Sequence, residues 1–151
     1  MKFIKETFIE ALPERVFGFH LLPDAIDRLI PPGENVRVVE RADVSQVGSR
    51  AVIEQTFLGV FKSRWVAEHT VYDPPHLFED VQISGPFKTW RHRHLFLPHK
   101  NGTILRDEIE YEMPIPIFGP LAAPLAIEPK LEKMFDHRHR VTKEWCESEK
   151  N

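Results

Sequence analysis

The sequence predicts an α+β fold in which a curved antiparallel sheet grips one long C-terminal helix. Between residues 35 and 113, six strand-like segments follow one another and are separated by short turns. Short connections join antiparallel neighbours, because parallel strands require long crossovers. After Phe118 the apolar spacing changes from two to helical. Only this last segment is long enough to cover the apolar face of the sheet.

The first part of the chain predicts one strand and two short helices. Residues 2–10 are expected to form the strand. In the segment LPERVFGFH, Pro13 and Glu14 suit the first turn of a helix, where a missing N–H and an acidic side chain are both favourable. A second short helix is predicted at PDAIDRLI, and the PPGE sequence at 31–34 ends it.

The remaining strands are predicted between turn residues such as DPP, SGP and HKNG, at 35–41, 49–57, 60–72, 76–84, 87–97 and 103–113. On the final helix the predicted buried stripe contains Ile127, Leu131, Met134, Phe135, Arg138, Val141 and Trp145. His137, His139 and Arg140 are instead predicted to form a solvated face. No repeat or linker divides the chain, so we expect one domain spanning residues 1–151.

Composition and charge exclude several classes of function. The chain has 20 Lys and Arg residues against 23 Asp and Glu residues, whereas a nucleic-acid-binding domain needs a basic surplus. The single cysteine, Cys146, excludes an internal disulfide and a cysteine-rich zinc motif. The N-terminus lacks the pattern of a signal peptide, and the longest apolar stretch is too short and too rich in proline to span a bilayer. Phosphate loops and dinucleotide-binding glycine motifs are missing. We therefore expect a cytoplasmic protein with no cofactor and no nucleic-acid partner.

The segment TWRHRHLFLP forms a hairpin with the strand that follows it. The four-residue turn HKNG makes Pro98 face Thr103, and a shift by one residue would oppose aromatic side chains to charged ones. On one face, the predicted cross-strand pairs are Trp90–Tyr111, His92–Ile109, His94–Asp107 and Phe96–Leu105. On the other face, they are Arg91–Glu110 and Arg93–Glu108. The histidines therefore point inward, and the arginines point outward as surface ion pairs.

The facing pair His94 and Asp107 has three interpretations. In the first, the pair is structural, and His94 donates a ring N–H to Asp107 in the core or the lining of a cavity. In the second, Asp107 fixes the tautomer of a histidine that binds or protonates a ligand. In the third, His92 and His94 hold a metal ion with the facing carboxylate. The sequence supplies no convincing further ligand, so we expect no metal.

Other side chains bear on the same inner face. On the preceding strand, Trp65 is predicted to point inward, and His69 is interpreted as a hydrogen-bonded histidine near the strand end. On the C-terminal helix, Arg138 either covers apolar surface with its stem or reaches a buried carboxylate or an acidic ligand group. Asp80 and Gln82 point inward in one register of their strand and outward in the other, and periodicity leaves both registers open.

Two of these segments resemble the SRPBCC superfamily. LPERVFGFH is similar to the Pro-x-x-Val-Phe opening of the first helix in that family, and PPG precedes the second strand. FEDVQISGPFKTWRHRHLF and GTILRDEIEYEMP together resemble bacterial SRPBCC domains found alone or fused to nucleotide-sugar epimerase-like proteins. The resemblance covers essentially the whole chain. It implies the helix-grip fold shared by START domains, aromatase/cyclases and the birch-pollen allergen proteins.

The resemblance also implies a function. Such domains enclose a deep, mostly apolar cavity, so we expect a carrier or sensor for a hydrophobic molecule such as a lipid, polyketide or isoprenoid. The proline-rich link at 114–124 is the expected rim of this cavity. The first alternative is a cyclase or dehydratase that uses His94 or His92 with Asp107 as an acid/base pair. The second is a domain with a filled cavity that acts through a protein partner. The residues expected to line the cavity are Trp65, Trp90, His92, His94, Asp107, Tyr111, Leu131, Phe135 and Arg138.

Overall fold

The architecture is a seven-stranded antiparallel sheet with two short helices and one long helix, which confirms the predicted α+β class. The computed structural model describes residues 1–57, 61–113 and 123–148. The expected rim lies largely outside the described residues, because they resume at position 123. In chain order, the elements are β1 (Lys2–Ile9), α1 (Pro13–His20), α2 (Ala25–Arg28), β2 (Val36–Glu40), β3 (Arg50–Phe57), β4 (Phe61–Asp73), β5 (Leu77–Ser84), β6 (Thr89–His99), β7 (Gly102–Glu112) and α3 (Ala123–Ser148).

The order of strands across the sheet is β1-β7-β6-β5-β4-β3-β2. Six strands therefore form a meander, and β1 joins its far edge by pairing with β7. The predicted register of the β6–β7 hairpin is confirmed, because His94 faces Asp107 and Trp90 faces Tyr111. The same register places Arg91 opposite Glu110, so alternate residues of β6 lie on opposite faces of the sheet.

Two apolar clusters fill the space between the sheet and the helices. The first, which we call the α1 cluster, surrounds Phe17, whose ring centroid lies 5.0 Å from that of Phe96 and 5.9 Å from that of Phe78. The second, the α3 cluster, surrounds Phe135 and consists of Phe87, Trp90, Ile109, Tyr111, Ile127, Leu131 and Phe135. Burying one side chain of this size contributes about 1.5–3 kcal/mol, so these clusters fix α1 and α3 on the sheet.

Gly102 begins β7 at a point where two backbones approach closely. A Cβ atom at this position would lie 2.3 Å from the carbonyl oxygen of Ile9, at the end of β1. Gly18, in α1, has open space at the equivalent atom, with nothing within 4 Å. The chain therefore needs glycine at 102 for steric reasons that do not apply at 18.

The outer face of the hairpin differs from a set of independent surface ion pairs. Arg91 Nε lies 2.7 Å from Glu79 Oε2, whereas its predicted partner Glu110 is 3.9 Å away. Glu79 is only 5% exposed and also accepts a hydrogen bond of 2.8 Å from Thr70. Arg93 Nε lies 3.3 Å from the same Glu79 oxygen. The arginines point outward as predicted, but their main partner is a buried carboxylate of the neighbouring strand β5.

Candidate functional site

A group of buried polar side chains lies between the α1 cluster and the α3 cluster. Its members are Asp80 on β5, His92 and His94 on β6, Asp107 on β7 and His139 on α3, and we call it the histidine–aspartate cluster. His94 stacks on Phe78 of the α1 cluster with ring centroids 4.0 Å apart. The ring of His92 meets Phe135 of the α3 cluster edge-on, at 5.3 Å. Apolar side chains therefore enclose the polar cluster from both sides.

Asp107 is the centre of this cluster because three histidines bond to its carboxylate. His92 Nε2 lies 2.7 Å and His94 Nδ1 2.8 Å from Asp107 Oδ1, and His139 Nε2 lies 2.6 Å from Oδ2. An ionised carboxylate only accepts hydrogen bonds, so each of these three ring nitrogens donates. His139 Nδ1 contacts the Thr7 hydroxyl at 2.9 Å, which ties α3 to β1. Asp107 thus connects four elements of the fold.

Asp80 approaches the same histidines from the other side. Its Oδ2 atom lies 3.3 Å from His94 Nε2 and 3.5 Å from His92 Nδ1. The register of β5 left open by the sequence is therefore the one that turns Phe78 and Asp80 inward. Gln82 lies on the same face, where its side chain bonds both backbone groups of Phe87.

The electrostatic environment shifts the pKa values of the two histidines of β6 in opposite directions. Burial by itself lowers the pKa of His94, but the charges of Asp107 and Asp80 and their hydrogen bonds raise it overall. For His92, burial and the neighbouring charge of His94 lower the pKa despite the bond to Asp107. Burial disfavours the Asp107 carboxylate, but the charge of His94 and the bonds from the three histidines hold its pKa well below the usual value. The cluster therefore favours an ionised Asp107, a protonated His94 and a neutral His92.

Arg138 lies beside this cluster without joining it. Its Nε atom is buried and has no hydrogen-bond partner in the described part of the chain, and its guanidinium lies 5.1 Å from the centre of the Phe135 ring. Burial lowers the pKa of Arg138, and the charges of Asp107 and Asp80 oppose that effect. Within the described part of the chain, Arg138 makes no ion pair with either carboxylate. Of the two interpretations of Arg138, the structure therefore has the packing against an apolar ring and not the ion pair with Asp107.

The aromatic residues expected to line a cavity come together on the α3 side. Trp65 packs edge-on against Trp90 with ring centroids 4.9 Å apart, and Tyr111 lies 6.0 Å from Trp90. Leu131 and Phe135 of α3 belong to the same cluster. The indole Nε1 of Trp65 is buried without a hydrogen-bond partner. An open groove of about 440 Å³ lies elsewhere, between β1 and the start of α3, and none of the expected cavity residues lines it.

Two predictions for histidines on this face need correction. His139 is not part of a solvated face, because it is 2% exposed and bonds Asp107 and Thr7. Four-residue steps from Leu131 through Phe135 lead directly to His139, and this spacing is the signal that the sequence contained. His69 is buried and has a backbone hydrogen bond with Glu79, but its Nδ1 atom has no partner among the described residues, so the expected hydrogen bonding is only partial.

One residue beside the histidine–aspartate cluster could not be predicted from the sequence. His20, in α1, lies 5.9 Å from His94 between ring centroids. Its Nδ1 atom contacts the carbonyl oxygen of Val16 at 3.0 Å, and burial lowers its pKa to about 3. The short helix α1 thus places a neutral imidazole at the boundary between the α1 cluster and the polar cluster.

Comparison with protein families identifies the fold. The family model described as "Polyketide cyclase / dehydrase and lipid transport" matches residues 9–138. The chain belongs to this family. Membership confirms the resemblance to the SRPBCC superfamily. A search of curated proteins gave no match.

Solved structures share the helix-grip fold of this polyketide cyclase/dehydrase and lipid transport domain. TTHA0849 from Thermus thermophilus is 23% identical, with a TM-score of 0.77 and full coverage of both chains. The di-domain ARO/CYC StfQ from the steffimycin biosynthetic pathway is 16% identical with a TM-score of 0.76, and the match covers 97% of this chain and 50% of StfQ. A START superfamily protein from Mycobacterium smegmatis is 13% identical, with a TM-score of 0.70 and 97% coverage of both chains. At these identities the likeness shows the fold alone. Among the described residues, no helix is long and apolar enough to cross a membrane.

Proposed function

We propose that this domain binds a hydrophobic small molecule whose acidic end meets Arg138 next to the histidine–aspartate cluster. The single observation that carries the proposal is the buried Nε donor of Arg138, which has no hydrogen-bond partner among residues 1–57, 61–113 and 123–148. A buried donor without an acceptor costs about 1–3 kcal/mol, and a ligand carboxylate would offset that cost. Apolar walls with a few convergent polar groups are typical of small-molecule sites.

The surrounding side chains suit the rest of such a molecule. Trp65, Trp90 and Tyr111 offer aromatic surface on the sheet side, and Leu131 and Phe135 offer apolar surface on α3. The second unpartnered donor, Trp65 Nε1, gives the ligand another hydrogen-bonding position along this wall. Membership in a family described by lipid transport supports a lipid-like ligand.

The test compares two ligands that share an apolar chain and differ in their polar end. Displacement of a bound fluorescent naphthalene sulfonate is measured with lauric acid and with 1-dodecanol, for the wild type and for Arg138→Met. Loss of a hydrogen bond to a charged group, worth about 1.5–3 kcal/mol, predicts that laurate binds the variant roughly 10- to 100-fold more weakly. Dodecanol should bind both proteins alike. Arg140→Met is the control, because Arg140 is exposed on the same helix and contacts only surface groups.

Two results would refute the proposal. One is a wild type that binds neither the probe nor either ligand, which would favour a filled interior and a role through a protein partner. The other is equal laurate affinity for the wild type and Arg138→Met, which would place any acidic group elsewhere.

A cyclase or dehydratase activity is the second candidate, and one observation favours it. The pKa of His94 is raised while that of the adjacent His92 is lowered, and such a separation suits an acid and a base that act together. In this mechanism His94 protonates a leaving hydroxyl, His92 accepts a proton from carbon, and Asp107 orients both rings. Mass spectrometry of a ligand purified with the protein and then incubated with fresh enzyme tests it. Loss of one water with the wild type but not with His94→Gln would support catalysis, and an unchanged ligand mass would exclude dehydration of that ligand.

A further inference from the structure

Three side chains of the histidine–aspartate cluster direct potential metal ligands toward one another. Asp80 Oδ2 lies 3.5 Å from His92 Nδ1 and 3.3 Å from His94 Nε2. One ligand atom from each residue lies within 4.8 Å of the others. A tetrahedral Zn²⁺ site with bonds of about 2.0–2.2 Å places its ligand atoms roughly 3.3–3.5 Å apart. The two separations that involve Asp80 therefore already have the spacing of metal ligands.

Asp107 orients both histidines for this role. It holds His92 by Nε2 at 2.7 Å and His94 by Nδ1 at 2.8 Å. Because an ionised carboxylate accepts hydrogen bonds only, these nitrogens carry the protons and the opposite nitrogen of each ring faces Asp80. Histidines that bind metals characteristically donate their other ring N–H to a carboxylate in this way. His139 bonds the second oxygen of Asp107 at 2.6 Å and fixes the orienting group itself.

The charges near Asp80 also suit a cation. His92 Nδ1 lies 3.5 Å from Asp80 Oδ2, a separation that is long for a hydrogen bond and suits two atoms that bind one cation. A cation between them would satisfy both. Asp80 supplies one negative charge directly to the site, and Asp107 supplies a second behind the histidines.

We propose that Asp80 Oδ2, His92 Nδ1 and His94 Nε2 bind one divalent transition-metal ion of the Zn²⁺ class, with Asp107 as the residue that positions both histidines. Three protein ligands leave at least one coordination position open, as in metal sites that bind a further molecule. The inference goes beyond the proposed function and does not depend on it, because the metal binds without the apolar ligand.

Calorimetric titration with Zn²⁺ tests the proposal on the full chain, freed of metal by chelation and without any apolar ligand. We expect one tight site per chain. Asp80→Asn and His94→Gln each remove a ligand and should weaken that site at least 100-fold. Asp107→Asn keeps all three ligands and should weaken it about 10- to 100-fold without changing the stoichiometry. His99→Gln is the matched control, because His99 is exposed on the same strand and should leave the affinity unchanged.

A second measurement uses only the wild type, in case the variants fold poorly. In ¹⁵N-imidazole spectra, Zn²⁺ should shift the signals of His92 Nδ1 and His94 Nε2 and leave the ring signals of His99 in place. Co²⁺ should give the visible absorption of a four- or five-coordinate ion. The proposal is overturned by the absence of a stoichiometric site, by unchanged affinity in a folded Asp80→Asn variant, or by signals that shift only in exposed histidines.

Discussion

Asp107→Asn tests whether the carboxylate at the centre of the cluster holds the fold together. The substitution keeps the shape of the side chain but removes its charge. Two histidines bond Asp107 Oδ1 at 2.7 and 2.8 Å, and a third bonds Oδ2 at 2.6 Å. Hydrogen bonds to a charged group contribute about 1.5–3 kcal/mol each, and those between neutral groups about 0.5–1.5 kcal/mol. Weakening two such bonds and losing the third predicts a loss of about 3–5 kcal/mol, which is also the usual cost of breaking a buried ion pair.

Urea unfolding followed by tryptophan fluorescence, at neutral pH and with a chelator present, measures this loss. For a chain of this size, about 3–5 kcal/mol corresponds to a melting temperature lower by roughly 6–20 °C. Glu110→Gln on the same strand is the control, because its side chain is 56% exposed and 3.9 Å from Arg91. It should change stability by less than about 0.5 kcal/mol. A loss of under about 1 kcal/mol for Asp107→Asn would refute this account of the cluster.

The pH dependence gives an independent check of the same carboxylate. The pKa of Asp107 in the folded protein lies well below the ordinary value for an aspartate, so the unfolded chain binds the proton more tightly. The stabilisation by the Asp107 charge is therefore fully present above the pKa of Asp107 in the unfolded chain and is lost as the pH falls toward its pKa in the folded protein. The advantage of the wild type over Asp107→Asn should not fall between neutral pH and about pH 5, because Asp107 also raises the pKa of His94 and so favours its protonated form there, and it should shrink below about pH 4. If the stability difference between the wild type and Asp107→Asn already disappears near pH 6, the titration of the histidines and not that of Asp107 causes it.

Three further predictions concern positions outside the cluster. Arg91→Ala removes the closest partner of the buried Glu79 carboxylate and should lower the free energy of unfolding in urea by about 1–3 kcal/mol. Arg37→Ala, in an exposed ion pair, should lower it by less than about 1 kcal/mol, and equal effects would contradict the difference in burial. Gly102→Ala should lower the melting temperature, because the new Cβ would lie 2.3 Å from a backbone oxygen. Gly18→Ala, at a helix position with open space, should raise the free energy of unfolding by about 0.5–1 kcal/mol, and an unchanged melting temperature for Gly102→Ala would disprove the steric argument. Cys146 is 2% exposed, and burial raises its pKa to about 11. It should therefore react with iodoacetamide at pH 8 far more slowly in the folded protein than in urea, and equal rates would show that the thiol is accessible.

The hairpin could be predicted from sequence because its two faces differ in chemistry along the whole length. A shift by one residue would have opposed aromatic side chains to charged ones, and the structure has the predicted register. The fold class followed in the same way, because short turns fix antiparallel neighbours and only one segment was long enough to cover the sheet.

The composition of the polar cluster could not be predicted in full, since it depends on contacts between distant segments. One register of β5 buries Leu77, Val81 and Ile83, and the other buries Phe78, Asp80 and Gln82. The structure has the second register, which turns Asp80 inward toward His92 although it buries fewer apolar side chains. On α3, the apolar stripe can continue from Phe135 either through Arg138 or through His139. Only the position of Asp107 on the facing sheet decides that His139 is buried. The alternation of inward and outward side chains along one strand does not predict which residue of a distant helix its side chains will contact.

The pairing of β1 with β7 has a consequence for how the chain is made. Met1 and Tyr111 bond each other's backbones across 110 residues of sequence. At about 5–20 residues per second, the first strand leaves the ribosome roughly 5–20 s before its partner exists. During this time β1 is an open edge, which other chains could extend. Lys2, Lys5 and Glu6 on this strand carry charges that oppose such association, so the alternation of β1 protects the nascent chain as well as shaping the finished sheet.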